Sequence, residues 1–265
     1  MLKKLLKKLI LLAIAGIMIL SLSGCGKKSD ELSGKLVVGT SADYPPYEFH
    51  ILEDGKDKIV GFDMDIAAEI AEDMGKELEI KDMNFDALLG ALEAGKIDIV
   101  MAAMTPDDEK KKNADFSEIY YKAEQGVIVR AEDKDKFKTV NDFKDVTVTV
   151  QLGTSQEEIA NTQLIGCQVK TLKKVGDLVL DLKAKKCDAI IVELPVAKAY
   201  VKENPDLIIS DVKVQDDVGG AAAAVAKGKT ELLSQIDKTL KRLAEEGKID
   251  EFVTKANELS SQAAE

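Results

Sequence analysis

The feature that most limits how this chain can fold is an order of elements that occurs twice. Leu36-Val37-Val38 is a short apolar run leading into Gly39-Thr40-Ser41. Over 62–75, Phe62, Ile66, Ile70 and Met74 recur every four residues, which is the spacing of one helix face. A strand near Leu78 to Ile80 follows, then a helix over 85–94 carrying Leu88, Leu89 and Leu92. Gly95 stands where a helix-ending glycine is expected, and a third strand runs from Ile97 to Met101. The succession then returns. Val146 to Leu152 is a strand entering Gly153-Thr154-Ser155, followed by a helix at 156–162, a strand at Val169 to Leu172, a helix at 176–185 and a strand at Ala189 to Val192. Units of this kind build parallel sheets covered by helices. Two of them predict an α/β chain of two lobes with a cleft between, although such repeats look alike in general.

Open α/β sheets hold ligands at the carboxyl ends of their strands. That rule selects Ser41 to Tyr44 and Ala103 to Thr105 in the first half, with Thr154, Ser155 and Glu193 in the second. Ala103 lies five positions after Asp98, and Glu193 five after Asp188, so the two occupy equivalent strand ends. Thr154 and Ser155 also open a helix, where free N–H groups and the helix dipole favour an anion. Taken alone, Gly-Thr-Ser is a plain helix cap; a facing lobe is what makes it a site.

The start of the chain is of another kind. Lys3, Lys4, Lys7 and Lys8 precede an apolar stretch from Leu9 to Leu20, too short for a comfortable membrane span but suited to a signal peptide over 1–24. Leu22-Ser23-Gly24-Cys25 is similar to a bacterial lipobox, which implies cleavage before Cys25 and its acylation. The mature protein would then be tethered by lipid, with the polar stretch to residue 35 as a linker. Removing 1–24 takes away four lysines and no acid, moving the formal charge from −11 to −15. Such an acidic surface argues against nucleic acid and against docking on anionic lipid.

Cysteine and histidine are scarce. With Cys25 acylated, Cys167 and Cys187 remain. If the strand order in the second half is 2-1-3, one strand separates them. Their backbones would then lie about 9–10 Å apart, beyond the roughly 7 Å reach of a disulfide, so a free pair is expected. Two thiols and the single His50 do not make a closed metal site, nor does His50 sit beside a nucleophile motif. Neither a metal nor a cofactor is expected.

From Gly61-Phe62-Asp63-Met64-Asp65-Ile66 onward the chain resembles the extracellular solute-binding proteins for polar amino acids. The likeness covers about residues 35 to 255 and takes in Tyr44-Pro45-Pro46-Tyr47, Asn84-Phe85-Asp86-Ala87-Leu88, Met104-Thr105-Pro106, Asp115-Phe116-Ser117, Gln151-Leu152-Gly153-Thr154 and Glu193-Leu194-Pro195. It implies the type II periplasmic-binding-protein fold, two parallel-rich lobes joined by a two-strand hinge and closing on a ligand. Lobe 1 would span 36–127 and 220–257, lobe 2 would span 128–219, and 258–265 would be a tail. The partners implied are a small amino acid and the permease and ATPase of an ABC importer, served by a monomer on the outer face of the cell membrane or in the periplasm.

Carried over residue by residue, the resemblance implies that Tyr44 and Phe85 flank the ligand side chain. Ala103 would offer its carbonyl to the ligand α-ammonium, beside Met104 and the Thr105 hydroxyl. Thr154 and Ser155 would bind the α-carboxylate, and Glu193 would pair with the α-ammonium. The family usually clamps the carboxylate with an arginine five residues before Asp-Phe-Ser; here that position is Lys110, within Lys110-Lys111-Lys112, a run that by itself reads as solvated surface. Asp63 and Asp65 read as helix-start residues, and Tyr47 and Phe62 as core packing. Ser41 stands where some relatives that bind cationic amino acids carry an acid, which argues against lysine or arginine unless Glu48 restores the charge. The small-residue run Gly219 to Ala224 has no role assigned by the sequence. Two other classes share the scaffold: a dehydratase-type enzyme with Glu193 as general acid, and a sensory or adhesin module. An enzyme is not the expectation.

Overall fold

A computed structural model describes residues 34–262. The signal-peptide and lipobox readings, Cys25 included, lie outside them. Each predicted half becomes a five-stranded sheet. In the first, Glu77–Asp82, Lys35–Thr40, Ile99–Val100, Ala224–Ala226 and Ala114–Phe116 lie side by side in that order. Lys35–Thr40 is parallel to both its neighbours, and the late strand Ala224–Ala226 is antiparallel to both of its own. In the second the order is Gln168–Leu172, Thr147–Gln151, Ala189–Glu193, Gln125–Arg130 and Leu207–Ile209, again with three parallel strands and an antiparallel addition. The 2-1-3 order on which the cysteine argument depends is present in the second half and in the first as well. A small antiparallel sheet of Asp43–Tyr44, Glu48–Glu53 and Lys56–Val60 folds over the first.

Local sequence accounts for the elements that frame the cleft. Helix Phe62–Asp73 buries Phe62, Met64, Ile66, Ala67 and Ile70 against the sheet. It starts at Gly61, whose φ of 130° and close approach to the Tyr47 carbonyl (a Cβ there would sit 2.0 Å from that oxygen) leave room for no other residue. The helix expected over 85–94 begins as a 3₁₀ turn at Phe85–Ala87 and becomes α-helical at Leu88–Glu93, the tighter turn being common at helix starts. The third strand of this half is only Ile99–Val100, because Ala103 turns into the left-handed region at φ 49° and gives its N–H to Asp63 instead of the ladder.

The chain passes between the sheets twice, and the two crossings touch. Ala221 N–H donates to the Tyr121 carbonyl at 2.8 Å and Tyr120 N–H to the Ala221 carbonyl at 3.0 Å. The run Gly219 to Ala224 now has a physical account. A Cβ on Gly220 would stand 2.5 Å from Ile119 Cγ2 and 2.9 Å from the Tyr121 oxygen of the other crossing, and Ala221 to Ala224 are all buried. Only small side chains let the backbones approach so closely. Strand Gln125–Arg130 lies whole in the second sheet, so the first crossing ends before residue 125, earlier than the sequence boundary at 128. Helix Lys248–Gln262 runs on into the segment that the sequence reads as a tail. Cys167 and Cys187 are both free, and strand Thr147–Gln151 lies between the strands they precede.

Candidate functional site

The carboxyl ends of the parallel strands of both sheets face a common cavity. Ser41, Tyr44, Phe85, Ala103, Thr105 and Lys110 line it from the first sheet, and Thr154 and Ser155 from the second. Eight of the residues selected by sequence are thus brought together. Met104 and Glu193 are not in the lining. Met104 is packed into the core beside Leu88 and Val100. Glu193 sits behind the wall, where its carboxyl accepts a hydrogen bond from the Tyr47 hydroxyl and its N–H donates to the Tyr44 oxygen at 3.0 Å.

On the second sheet's side the helix Ser155–Gln163 points its start at the cavity, and no side chain caps it among the described residues. The Thr154 hydroxyl donates to the Gln151 carbonyl at 2.8 Å, while that of Ser155 donates to Asp216 at 2.8 Å. Lys110 is no surface residue: it is 9% exposed and its ammonium meets the Asp107 carboxylate, whereas Lys111 and Lys112 face solvent. Outside the cavity the cleft widens between Asp107, Asp108, Glu109, Glu157, Glu158, Asp216 and Asp217, a markedly acidic mouth.

Sequence reasoning names Glu48 only as an acid able to restore a charge, and it misses the role of Asp63 altogether. Glu48 opens the hairpin strand Glu48–Glu53, lines the cavity and is 1% exposed. Asp63 reads in the sequence as a helix-start residue, yet it is fully buried and anchors the site. One of its oxygens accepts the Ala103 N–H at 2.9 Å and the Tyr120 hydroxyl at 2.8 Å, holding Ala103 in its left-handed turn. One oxygen of each, Glu48 Oε2 and Asp63 Oδ1, has no donor. Two buried carboxyls side by side cannot both ionise cheaply. Burial, and then the neighbouring Asp63 charge, hold Glu48 well above the ordinary carboxylate range, and burial pushes Asp63 up to about 6. A proton retained on Glu48 relieves the repulsion between the two carboxyls. Burial likewise raises Glu193 to about 8, against the opposing hydrogen bond from Tyr47. An acid beside Phe62 in a helix's first turn, with Gly61 before it, is the one available hint that Asp63 points inward.

The sheets are also tied at their rims. The Asp43 carboxylate accepts the Val175 N–H at 2.7 Å, and the Tyr200 hydroxyl donates to the Asp43 carbonyl at 2.9 Å. Tyr44, Tyr47, Phe62 and Tyr121 make tilted and edge-on ring contacts leading inward from the cavity wall, with ring centres 4.3–5.6 Å apart.

Comparison with known proteins agrees with this architecture. Residues 36–257 match the profile of the bacterial extracellular solute-binding proteins, family 3. The chain is 37% identical over 258 residues to the arginine-binding extracellular protein ArtP of Bacillus subtilis, covering 94% of this chain and 98% of that one. Among solved structures it is similar to the amino acid ABC transporter substrate-binding protein AbpA of Streptococcus pneumoniae bound to L-arginine. There the TM-score is 0.83 at 38% identity, over 86% of this chain and 96% of that one. The substrate binding protein of another amino acid ABC transporter is 45% identical, with a TM-score of 0.77 over 84% of this chain and 98% of that one. With the match running through both sheets and both crossings, the chain belongs to the bacterial extracellular solute-binding proteins of family 3.

Proposed function

We propose that this protein captures a cationic amino acid, arginine foremost, in the cavity between its two sheets and delivers it to the membrane subunits of an ABC importer. The observation that carries this reading is Glu48: a buried carboxyl in the cavity lining, with an oxygen that has no donor, while the nearby cation Lys110 is already engaged by Asp107. A guanidinium gives that oxygen a permanent charged donor, and charge-assisted pairs of this kind are worth about twice a neutral hydrogen bond. Tyr44 and Phe85 in the same lining suit a cation over aromatic faces. Thr105, Thr154 and Ser155 serve the α-carboxylate, the Ala103 carbonyl serves the α-ammonium, and Lys110 stands at the position of the family's arginine.

Glu193 behind Tyr47 favours binding over the dehydratase alternative, since a general acid has to reach the reacting atom. The mature chain acts as a monomer held to the membrane by lipid on Cys25. Calorimetric titration with L-arginine, L-lysine, L-histidine and L-glutamine tests the reading, on the parent and on Glu48→Gln. Arginine is expected to bind tightest to the parent, and Glu48→Gln should cost arginine far more affinity than glutamine. A parent that prefers glutamine would overturn the assignment of a cationic ligand.

A further inference from the structure

Asp216 belongs to the return crossing, far in sequence from every residue selected for the site. Its carboxylate nevertheless reaches into the cleft. Oδ2 accepts the Ser155 hydroxyl at 2.8 Å from the second sheet's side and lies 3.5 Å from the Thr105 hydroxyl of the first. Oδ1 accepts the N–H groups of Val218 at 3.1 Å and Gly219 at 3.0 Å. Gly219 takes a φ of 52°, which folds the chain back on Asp216 and aims the carboxylate at the two hydroxyls. One oxygen of one side chain thus joins hydroxyls from both lobes, and they are two of the hydroxyls expected to receive a ligand α-carboxylate.

A serine hydroxyl has one proton to donate. Ser155 therefore serves either Asp216 or an incoming carboxylate. Two carboxylates crowded on the same pair of hydroxyls would repel each other in a closed cleft. The internal group also has the advantage of proximity, because it is tethered at a high effective concentration.

We propose that Asp216 is a built-in competitor for the ligand carboxylate: it bridges Thr105 and Ser155 in the ligand-free protein, holds the lobes together, and must be displaced for the amino acid to seat. The ligand half of this inference rests on the reading of the cavity as an amino-acid site; the bridging half does not. Displacement lowers affinity, and return of Asp216 speeds release, which suits a protein that has to surrender what it binds. Because Asp216 lies four residues before Gly220 at the crossing, moving it also moves the segment on which the lobes turn.

The test uses Asp216→Ala and the milder Asp216→Asn, with two probes: L-arginine, and agmatine, which is arginine without its carboxyl group. Asp216→Ala should bind L-arginine about tenfold tighter than the parent, while agmatine changes by less than about twofold. Asp216→Asn keeps an acceptor for Ser155 and should fall between. Small-angle scattering on the ligand-free proteins should show Asp216→Ala more open than the parent. Equal or weaker arginine binding in Asp216→Ala, or an equal gain for agmatine, overturns the competitor role. If the parent binds no amino acid, the ligand reading has failed by itself, and the ligand-free scattering still decides the bridge: an unchanged profile in both variants overturns it.

Discussion

Tyr47 and Glu193 meet across the two sheets, the phenol donating to a carboxyl that burial has pushed up to about 8. In the unfolded chain that carboxyl titrates near 4.5. The folded state therefore holds a proton that the unfolded state gives up. Its contribution to stability is whole below about 4.5 and is lost as the pH rises through about 8. The thermal midpoint of the ligand-free protein should fall between about pH 5 and about pH 8. Glu193→Gln keeps an acceptor for Tyr47 and carries no charge, so its melting curves should flatten over that interval. Below about pH 4.5 the Glu193 contribution is whole and the two proteins should run parallel. The buried Asp63, raised from 3.8 to about 6, gives both the same further slope between those values.

Glu48 connects ligand charge to proton movement. If a guanidinium takes its unpaired oxygen, the proton retained on Glu48 is no longer needed and leaves. Calorimetry of L-arginine binding at pH 7, in buffers of differing ionisation enthalpy, should reveal net proton release on binding. In Glu48→Gln the buffer dependence should vanish. Proton uptake in the parent would contradict the assignment.

Lys110 and its neighbours can be separated by burial. Removing one partner of a buried charge pair costs about 2–5 kcal/mol. Lys110→Ala should therefore weaken arginine binding by about thirtyfold or more. The exposed Lys111→Ala and Lys112→Ala should stay within about twofold. Asp107→Asn, which frees the Lys110 ammonium, should tighten binding several-fold. Three alanine variants that all bind like the parent would place the carboxylate elsewhere.

Two glycines should respond in opposite senses. Gly220→Ala forces a methyl against Ile119 and the Tyr121 carbonyl, and overpacking of this kind costs about 1–3 kcal/mol. Gly90 lies exposed in helix Leu88–Glu93, and a methyl added there would meet nothing within 4 Å, so Gly90→Ala should stabilise by about 0.5–1 kcal/mol. Urea denaturation of both variants reads the two shifts.

Mass spectrometry of the membrane-bound protein addresses Cys25. A mature chain beginning at an acylated cysteine is expected, and Cys25→Ala should strand the precursor or release the chain. An unmodified chain starting at Met1 contradicts lipidation.

Much of the frame is legible in the sequence because strand–helix alternation is a local pattern. The strand ends that present Ser41, Ala103 and Thr154 follow from it. What escapes are residues delivered by long-range folding. Glu48 arrives on a hairpin that folds over the sheet end, outside the strand–helix units. Asp216 comes from the return crossing and meets Thr105 across 111 positions of sequence. Asp63 looks like any acid in a helix's first turn; only the neighbouring strand end shows that it supports Ala103. Glu193 stands at the strand end expected for it, but position along a strand does not reveal that Tyr47 stands between its carboxyl and the cavity.

The acidic mouth of the cleft bears on speed. Seven carboxylates crowd that opening and only one ammonium, already neutralised by Asp107, lines it with them. Field lines converge there, so a cation is enriched near the entrance before any contact forms, and its encounter rate exceeds that of a neutral molecule of the same size. Added salt shortens the reach of that field to about 8 Å at physiological ionic strength. Cationic solutes should therefore lose association rate steeply as salt rises, while zwitterions of no net charge barely notice. Where positively charged nutrients are dilute, the mouth makes the protein a fast collector, whatever the final strength of its grip.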